Sequence, residues 1–157
     1  KTGQYKKERK LYKRAEQDFP DNYALLYRQA ILSLSEGDEK KADEYIRNYI
    51  SIQRNNPAAE TAILTSLGRI YSEAGILGKA EEYYRQALSL EPEDPEGMNY
   101  LAWFLIDNDR NIIEGLELFD HALEIIPDID YMLDTKGWGL NKQGRFKEAL
   151  MVMLYLM

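Results

Sequence analysis

One stretch limits what this chain can become more than any other: TAILTSLGRIYSEAGILGKAEEYYRQALSLEPED, from Thr61 to Asp94. Leu64, Leu67, Ile70 and Tyr71 recur at helical spacing, and Ala80, Tyr84, Ala87 and Leu88 do so again after Gly75. Pro92 closes the stretch. Two short amphipathic helices joined by a tight turn satisfy this pattern, and no segment of the chain sustains the alternation of a strand. A single helix pair leaves an apolar face that only another pair can cover, so the reading depends on recurrence along the chain.

The unit recurs on both sides. Residues 95–129 carry Met98, Leu101, Ala102, Leu105, Gly115, Phe119, Ala122 and Pro127, with one residue inserted near Asn108-Asp109-Arg110. Residues 130–157 carry Leu133, Gly137, Leu140, Gly144, Phe146, Ala149 and Met153 and stop before a closing Pro. Residues 23–60 carry Leu26, Ala30, Gly37, Ala42, Ile46 and Tyr49, but Gln29 and Ser33 replace apolar residues of the first helix. In residues 1–22, Gly3, Tyr5, Tyr12, Ala15 and Pro20 align with Gly75, Leu77, Tyr84, Ala87 and Pro92, with Glu8 where Ala80 stands. That segment is the back half of a unit. Gly68, Ala102 and Gly137 fall where two helices must cross closely, opposite Ala80, Gly115 and Ala149. Gly37-Asp38 reads as a helix stop followed by an N-cap. Asn56 before Pro57 reads as another cap, and Asn111 with Glu114 has capping-box spacing.

These residues resemble the tetratricopeptide repeat, whose signature is W-x2-L-G-x2-Y, then A-x3-F, then P, over about 34 residues. Leu64 stands for the Trp and Tyr84 for the Phe. The resemblance covers nearly the whole chain. It implies an all-α, right-handed superhelical solenoid of helix-turn-helix repeats, with nine helices arranged as one orphan and four hairpins. It implies a single domain over 1–157: the half repeat 1–22, the repeats 23–60, 61–94 and 95–129, and a truncated repeat 130–157. The run from Leu101 to Leu150 looks like bacterial members of the family, many of them cell-envelope or lipoprotein scaffolds, which points to the bacterial cytoplasm or envelope.

Composition narrows the function. The 27 acids against 20 bases leave a net charge of −7, which disfavours a general nucleic-acid binder. With no Cys there is neither a disulfide nor a thiolate metal site. No apolar run reaches the ~18–20 residues of a membrane helix, and no signal peptide is recognisable. The lack of an initiator Met suggests a processed or excised segment.

Candidate chemistry is sparse. His121, the sole histidine, reads as a surface or packing residue, since a catalytic or zinc histidine needs partners. Glu91, Glu93, Asp94 and Glu96 crowd one loop, where Asp94 is explained as an N-cap. Gly137-Trp138-Gly139 lacks the strand and the Gly-Lys-Ser of a phosphate loop. Lys6, Lys7, Arg9, Lys10, Lys13 and Arg14 form a basic run that reads as the solvated face of the first helix, with steering of an acidic partner or membrane surface as the alternative. The C-terminal run from Leu150 to Met157 places Met151, Val152 and Tyr155 on a face that should meet solvent. Coverage by further chain is the first reading, and self-association the second.

In this family the first helices line a concave groove that binds extended peptides or helices of partner proteins. The resemblance places Tyr27, Arg28 and Ile31 inward, then Thr65, Ser66 and Arg69, then Asn99, Tyr100, Trp103 and Ile106, then Tyr131, Asp134, Trp138 and Asn141. Of these, Tyr27, Arg28, Arg69, Asn99, Tyr100, Trp103, Tyr131 and Trp138 are the expected partner-binding residues, having hot-spot composition. The competing reading packs each Trp between repeats. One subclass clamps acidic chaperone C-termini with Lys, Asn and Arg; the corresponding positions hold Tyr27, Ile31, Ser66, Glu96 and Tyr100, or one repeat along Thr65, Arg69, Tyr100, Tyr131 and Thr135, so that partner is not expected. The expected function is a non-catalytic protein-interaction scaffold without metal or cofactor. The alternative is a regulatory or targeting segment of a larger enzyme such as a glycosyltransferase.

Overall fold

The computed structural model describes residues 2–20, 22–54, 59–127 and 130–155, and of residues 2–4, 59, 130, 131 and 155 the backbone alone. Among the described residues there are nine helices and no strand: α1 (Thr2–Asp18), α2 (Tyr23–Ser35), α3 (Glu39–Gln53), α4 (Ala59–Glu73), α5 (Leu77–Leu90), α6 (Pro95–Asp107), α7 (Ile112–Ile125), α8 (Asp130–Lys142) and α9 (Phe146–Tyr155). The all-α helix-turn-helix architecture read from the spacing is the one observed.

The turns show why the chain reverses where it does. Gly37, Gly75 and Gly144 have φ of 77°, 81° and 75°, in the left-handed region that a glycine enters without a Cβ penalty. The next N–H then reaches back to the preceding helix: Asp38 to Ser33 O at 2.9 Å, Ile76 to Tyr71 O at 2.8 Å and Arg145 to Leu140 O at 2.9 Å. These are the long bonds of the Schellman helix stop. Asp109 takes the same place before α7 with φ of 53°, and Arg110 N bonds Leu105 O at 2.9 Å, so the inserted residue leaves the device intact. Starts are equally explicit. Asn22, Asp38, Asp94 and Asn111 cap α2, α3, α6 and α7 by accepting from Leu25, Lys41, Gly97 and Glu114 N–H groups at 3.0, 3.2, 2.9 and 3.2 Å. The expected cap at Asn56 lies outside the described residues.

The chain forms two compact units, Lys1–Ala80 and Glu81–Met157, with the division falling inside α5. In the first, Ala30, Ala42, Ile46, Tyr49, Ile70 and Tyr71 are buried. Gln29 and Ser33 are buried with them, so the two polar replacements noted in the sequence lie inside the packing. Ile63 is buried where Leu64 is partly exposed, so the apolar stripe of α4 lies one position earlier than its motif residue suggests.

The second unit has a core of Met98, Ala102, Ile106, Phe119, Ala122 and Met132, with Leu116, Leu140 and Ala149 beside them. Its centre is Ile106, which the sequence placed on the groove and which is fully buried. A Cβ on Gly115 would lie 2.7 Å from Ile106 Cγ1, and one on Gly139 2.8 Å from Ile106 Cδ1. The isoleucine is a wedge between two glycines, on α7 and α8. The same Gly115 Cβ would meet Ala102 O at 3.0 Å, which is the close α6–α7 crossing expected there. A Cβ on Gly137 would touch Met153 at 3.3 Å and Ala149 O at 3.8 Å. Two motif residues of the last repeat are displaced from the core. Met132 is fully buried while Leu133 is partly exposed, and Phe146, the first residue of α9, is 66% exposed.

Candidate partner-binding faces

In the second unit α6 and α8 pack directly on one another. Trp103 on α6 and Trp138 on α8 stand at the same place relative to the turn residues Asp109 and Gly144. Their exposures are 43% and 46%, beside neighbours such as Ala102 and Phe104 that are fully buried. Asn99 and Tyr100 are half-buried one turn before Trp103, on its face of the helix. Trp138 is held by Lys142, whose Nζ lies 5.8 Å from the indole centroid. That ammonium also donates to Ile106 O at 2.8 Å, Asp107 O at 3.1 Å and Asp109 Oδ1 at 2.9 Å, capping the negative end of α6. Lys142 was not singled out in the sequence, and its position at the end of α8 carries no motif. The side chain of Tyr131, another expected site residue, lies outside the described residues.

In the first unit Tyr27, Arg28 and Arg69 come together across α2 and α4. Arg28 and Arg69 lie 5.6 and 5.8 Å from the Tyr27 ring centroid. Glu73, unremarked in the sequence, organises them: Tyr27 Oη donates to its carboxylate at 2.6 Å and Arg28 Nη1 at 2.9 Å. Arg28 therefore has an internal anion, whereas Arg69 makes no ion pair among the described residues. Glu73 lies two turns before the motif alanine Ala80, so only its register against Tyr27 could have revealed it.

The remaining candidates resolve into structure. Asp94 is the cap of α6, with Gly97 and Glu96 N–H groups at 2.9 and 3.2 Å. His121 lies on the surface with Nε2 3.5 Å from Glu93 Oε2. Glu81 and Glu114 share Arg85, and Arg110 also bonds Glu81 at 2.7 Å, giving a four-membered charge network on α5, α7 and the turn before α7. Burial works to raise the Glu81 pKa, but hydrogen bonds from Arg110 and Arg85 prevail and hold it below the usual carboxylate range. The Arg85 hydrogen bond does the same for Glu114. Among the described residues no group of three His, Cys, Asp or Glu side chains is placed to hold a metal. No helix of the described residues is long and apolar enough to cross a membrane. Helix α9 exposes Leu150, Met151, Met153 and Leu154, while Val152 is partly buried and the Tyr155 side chain lies outside the described residues.

Residues 62–94 match the family model of the tetratricopeptide repeat. The whole chain resembles solved structures in fold. A MamA fragment from Desulfovibrio magneticus RS-1 superposes with a TM-score of 0.60 at 15% identity, over 96% of this chain and 93% of that one. A tetratricopeptide repeat protein from Parabacteroides merdae gives 0.62 at 22% identity, over 92% and 56%. The O-GlcNAc transferase of Thermobaculum terrenum gives 0.51 at 23% identity, over 75% of this chain and 22% of that one. The chain thus contains a tetratricopeptide repeat at 62–94 and has the all-α solenoid fold of proteins built from such repeats.

Proposed function

We propose that this chain is a non-catalytic protein-interaction scaffold, and that the Trp103–Trp138 face of the second unit seats an extended segment or helix of a partner protein. One observation carries the reading. Two indoles at equivalent places on contacting helices are nearly half exposed, while the core closes on Ile106, Met98 and Met132 without them. Burying a Trp removes about 150–250 Å² from water, and such anchors commonly form hot spots worth about 2 kcal/mol or more. Asn99 and Tyr100 extend this face. Tyr27, Arg28 and Arg69 form a separate patch on the first unit, where Arg69 is the cation open to a partner carboxylate. The exposed apolar face of α9 supports self-association as a further contact.

The test is affinity capture from the source organism with the wild-type chain and with Trp103→Ala/Trp138→Ala. Loss of the specific partner with unchanged helical circular dichroism supports the proposal. A double variant that folds and retains every partner refutes it, and one that unfolds makes the indoles packing residues. A second reading rests on the likeness to the O-GlcNAc transferase, of which the matched part is about a fifth. On that reading the repeats are a regulatory or targeting segment of a larger enzyme. Finding a glycosyltransferase domain encoded in the same reading frame would establish it, and a frame with no catalytic domain would end it.

A further inference from the structure

The turn residues give the repeats a common register. Gly37, Gly75, Asp109 and Gly144 mark the same place in the four hairpins. Equally far before them, on the helix preceding each hairpin, stand Lys13, Ser51, Arg85 and Asp120. At a second fixed place, on the first helix of each hairpin, stand Gln29, Leu67, Leu101 and Lys136. Shortly after the turns, allowing the one inserted residue at the third, come Lys41, Lys79, Glu114 and Glu148.

At these positions the third and fourth hairpins each pair a cation with an anion. In the third, Arg85 Nη2 donates to Glu114 Oε2 at 2.9 Å across the neutral Leu101. In the fourth the outer positions are the acids Asp120 and Glu148, and Lys136 lies between them and pairs with Asp120. In the second the middle residue is the buried Leu67 and the outer two are Ser51 and Lys79. The first hairpin departs from all of these. Both outer residues are cations, Lys13 and Lys41, and the middle residue is the neutral Gln29. The anion that the third and fourth hairpins place at these positions is missing from them, and the neighbouring acids Glu36 and Asp38 pair with Arg9 and Lys41.

A space lies where it would sit. Lys13, Lys41, Gln29, Arg9, Tyr12 and Tyr45, together with the Glu36 carboxylate, line a cavity of about 40 Å³ between α1, α2 and α3. Gln29 is 3% exposed and its Oε1 has no hydrogen-bond partner. A buried acceptor without a donor is costly, so the occupant must bring a proton to it. Arg9 pairs with Glu36 and Lys41 with Asp38, while Lys13 makes no ion pair among the described residues. Burial raises the pKa of Tyr12 and Tyr45, so both phenols remain O–H donors.

We propose that this cavity binds a small protonated oxoanion, hydrogen phosphate, whose charged oxygens face Lys13, Lys41 and Arg9 while its P–O–H donates to Gln29 Oε1. Water satisfies Gln29 but brings no charge between the two lysines. Sulfate has the charge and shape but no proton. A phosphate monoester dianion lacks the proton too, which separates free phosphate from a phosphorylated side chain.

The full chain is titrated with inorganic phosphate, sulfate and methyl phosphate at pH 8 and constant ionic strength, with thermal unfolding and calorimetry as readouts. Phosphate should raise the unfolding midpoint saturably, and sulfate and methyl phosphate should bind at least about tenfold more weakly. Lys41→Glu reproduces the Arg85–Glu114 arrangement and sets a glutamate three residues after the Asp38 cap, a favourable place. That variant should fold and lose the phosphate response. Gln29→Leu should fold and lose the preference for phosphate over sulfate. Absence of a saturable phosphate effect, an equal response to sulfate or methyl phosphate, or a response surviving Lys41→Glu would each overturn the proposal.

Discussion

Replacing Gly115 by Ala tests the packing on which the second unit rests. In an ordinary helix interior this change is favourable by about 0.8–1 kcal/mol, because alanine restricts the unfolded chain and glycine does not. Here the new methyl would sit 2.7 Å from Ile106 Cγ1, 3.1 Å from Ile106 Cδ1 and 3.0 Å from Ala102 O. Comfortable carbon–carbon contact begins at about 3.5 Å. Ile106 cannot turn aside, since its Cδ1 already lies against Gly139 and it is wholly buried. The carbonyl of Ala102 is helix backbone and moves only if α6 and α7 separate. With a side chain and a backbone atom both in the way, the overpacking cost belongs in the upper part of the usual range, about 2–3 kcal/mol. Subtracting the propensity gain leaves a net loss of about 1–2 kcal/mol.

Both tryptophans belong to the second unit, so urea unfolding followed by their fluorescence reports on that unit, with far-ultraviolet circular dichroism as the whole-chain probe. Gly78→Ala is the control, because nothing lies within 4 Å of its Cβ position and α5 should gain slightly or stay unchanged. Adding Ile106→Ala to Gly115→Ala should cost less than the sum of the two single changes, since the methyl then occupies part of the cavity. A Gly115→Ala protein as stable as the wild type, or an additive double variant, would refute the wedge.

Three further outcomes are expected. In wild type the Glu81 and Glu114 carboxyls have folded pKa values below their unfolded ones, so their stabilisation is complete above about pH 4.5 and fades as pH falls through the folded values. Arg85→Met should therefore cost less than about 1 kcal/mol at pH 7 and nearly nothing at pH 3, and an equal loss at both pH values would remove the network as its cause. Replacing Met151 and Leu154 by Gln should lower any concentration-dependent light scattering of the chain, whereas scattering identical to wild type would dismiss α9 as an association surface. Lys142→Met should destabilise by about 1–2 kcal/mol through loss of the α6 carbonyl cap, seen as a lower urea midpoint, with retention of the wild-type midpoint as the contrary result.

What the sequence made legible follows from how local each determinant is. A positive-φ glycine, an N-cap and a 3.6-residue apolar stripe are written within a few residues, and Gly37, Asp38, Gly75 and Asn111 were readable for that reason. Small residues at a hairpin crossing were readable as well, because the two helices are adjacent in the chain; Ala102 and Gly115 meet as their spacing suggests. Contacts between non-adjacent helices were less legible. Ile106 was assigned to the groove because its burial needs α8 as well as α7, through Gly139, a residue that within its own repeat has no reason to be small. Glu73 escaped notice for the same cause, since its partners Tyr27 and Arg28 lie on a helix far back in the chain. The stripe of α8 shifted from Leu133 to Met132, a displacement that a one-position change in helix rotation produces and that composition cannot detect when neighbouring residues are both apolar. The tryptophans show the converse. Their equivalence was visible from register alone, and their exposure follows because the register position they share is filled by Ile31 and Arg69 in the first two hairpins, so the packing at that place requires no aromatic ring. Residues that a repeat's packing does not require are the ones free to vary, which is why the proposed partner contact in the second unit is assigned to the indoles.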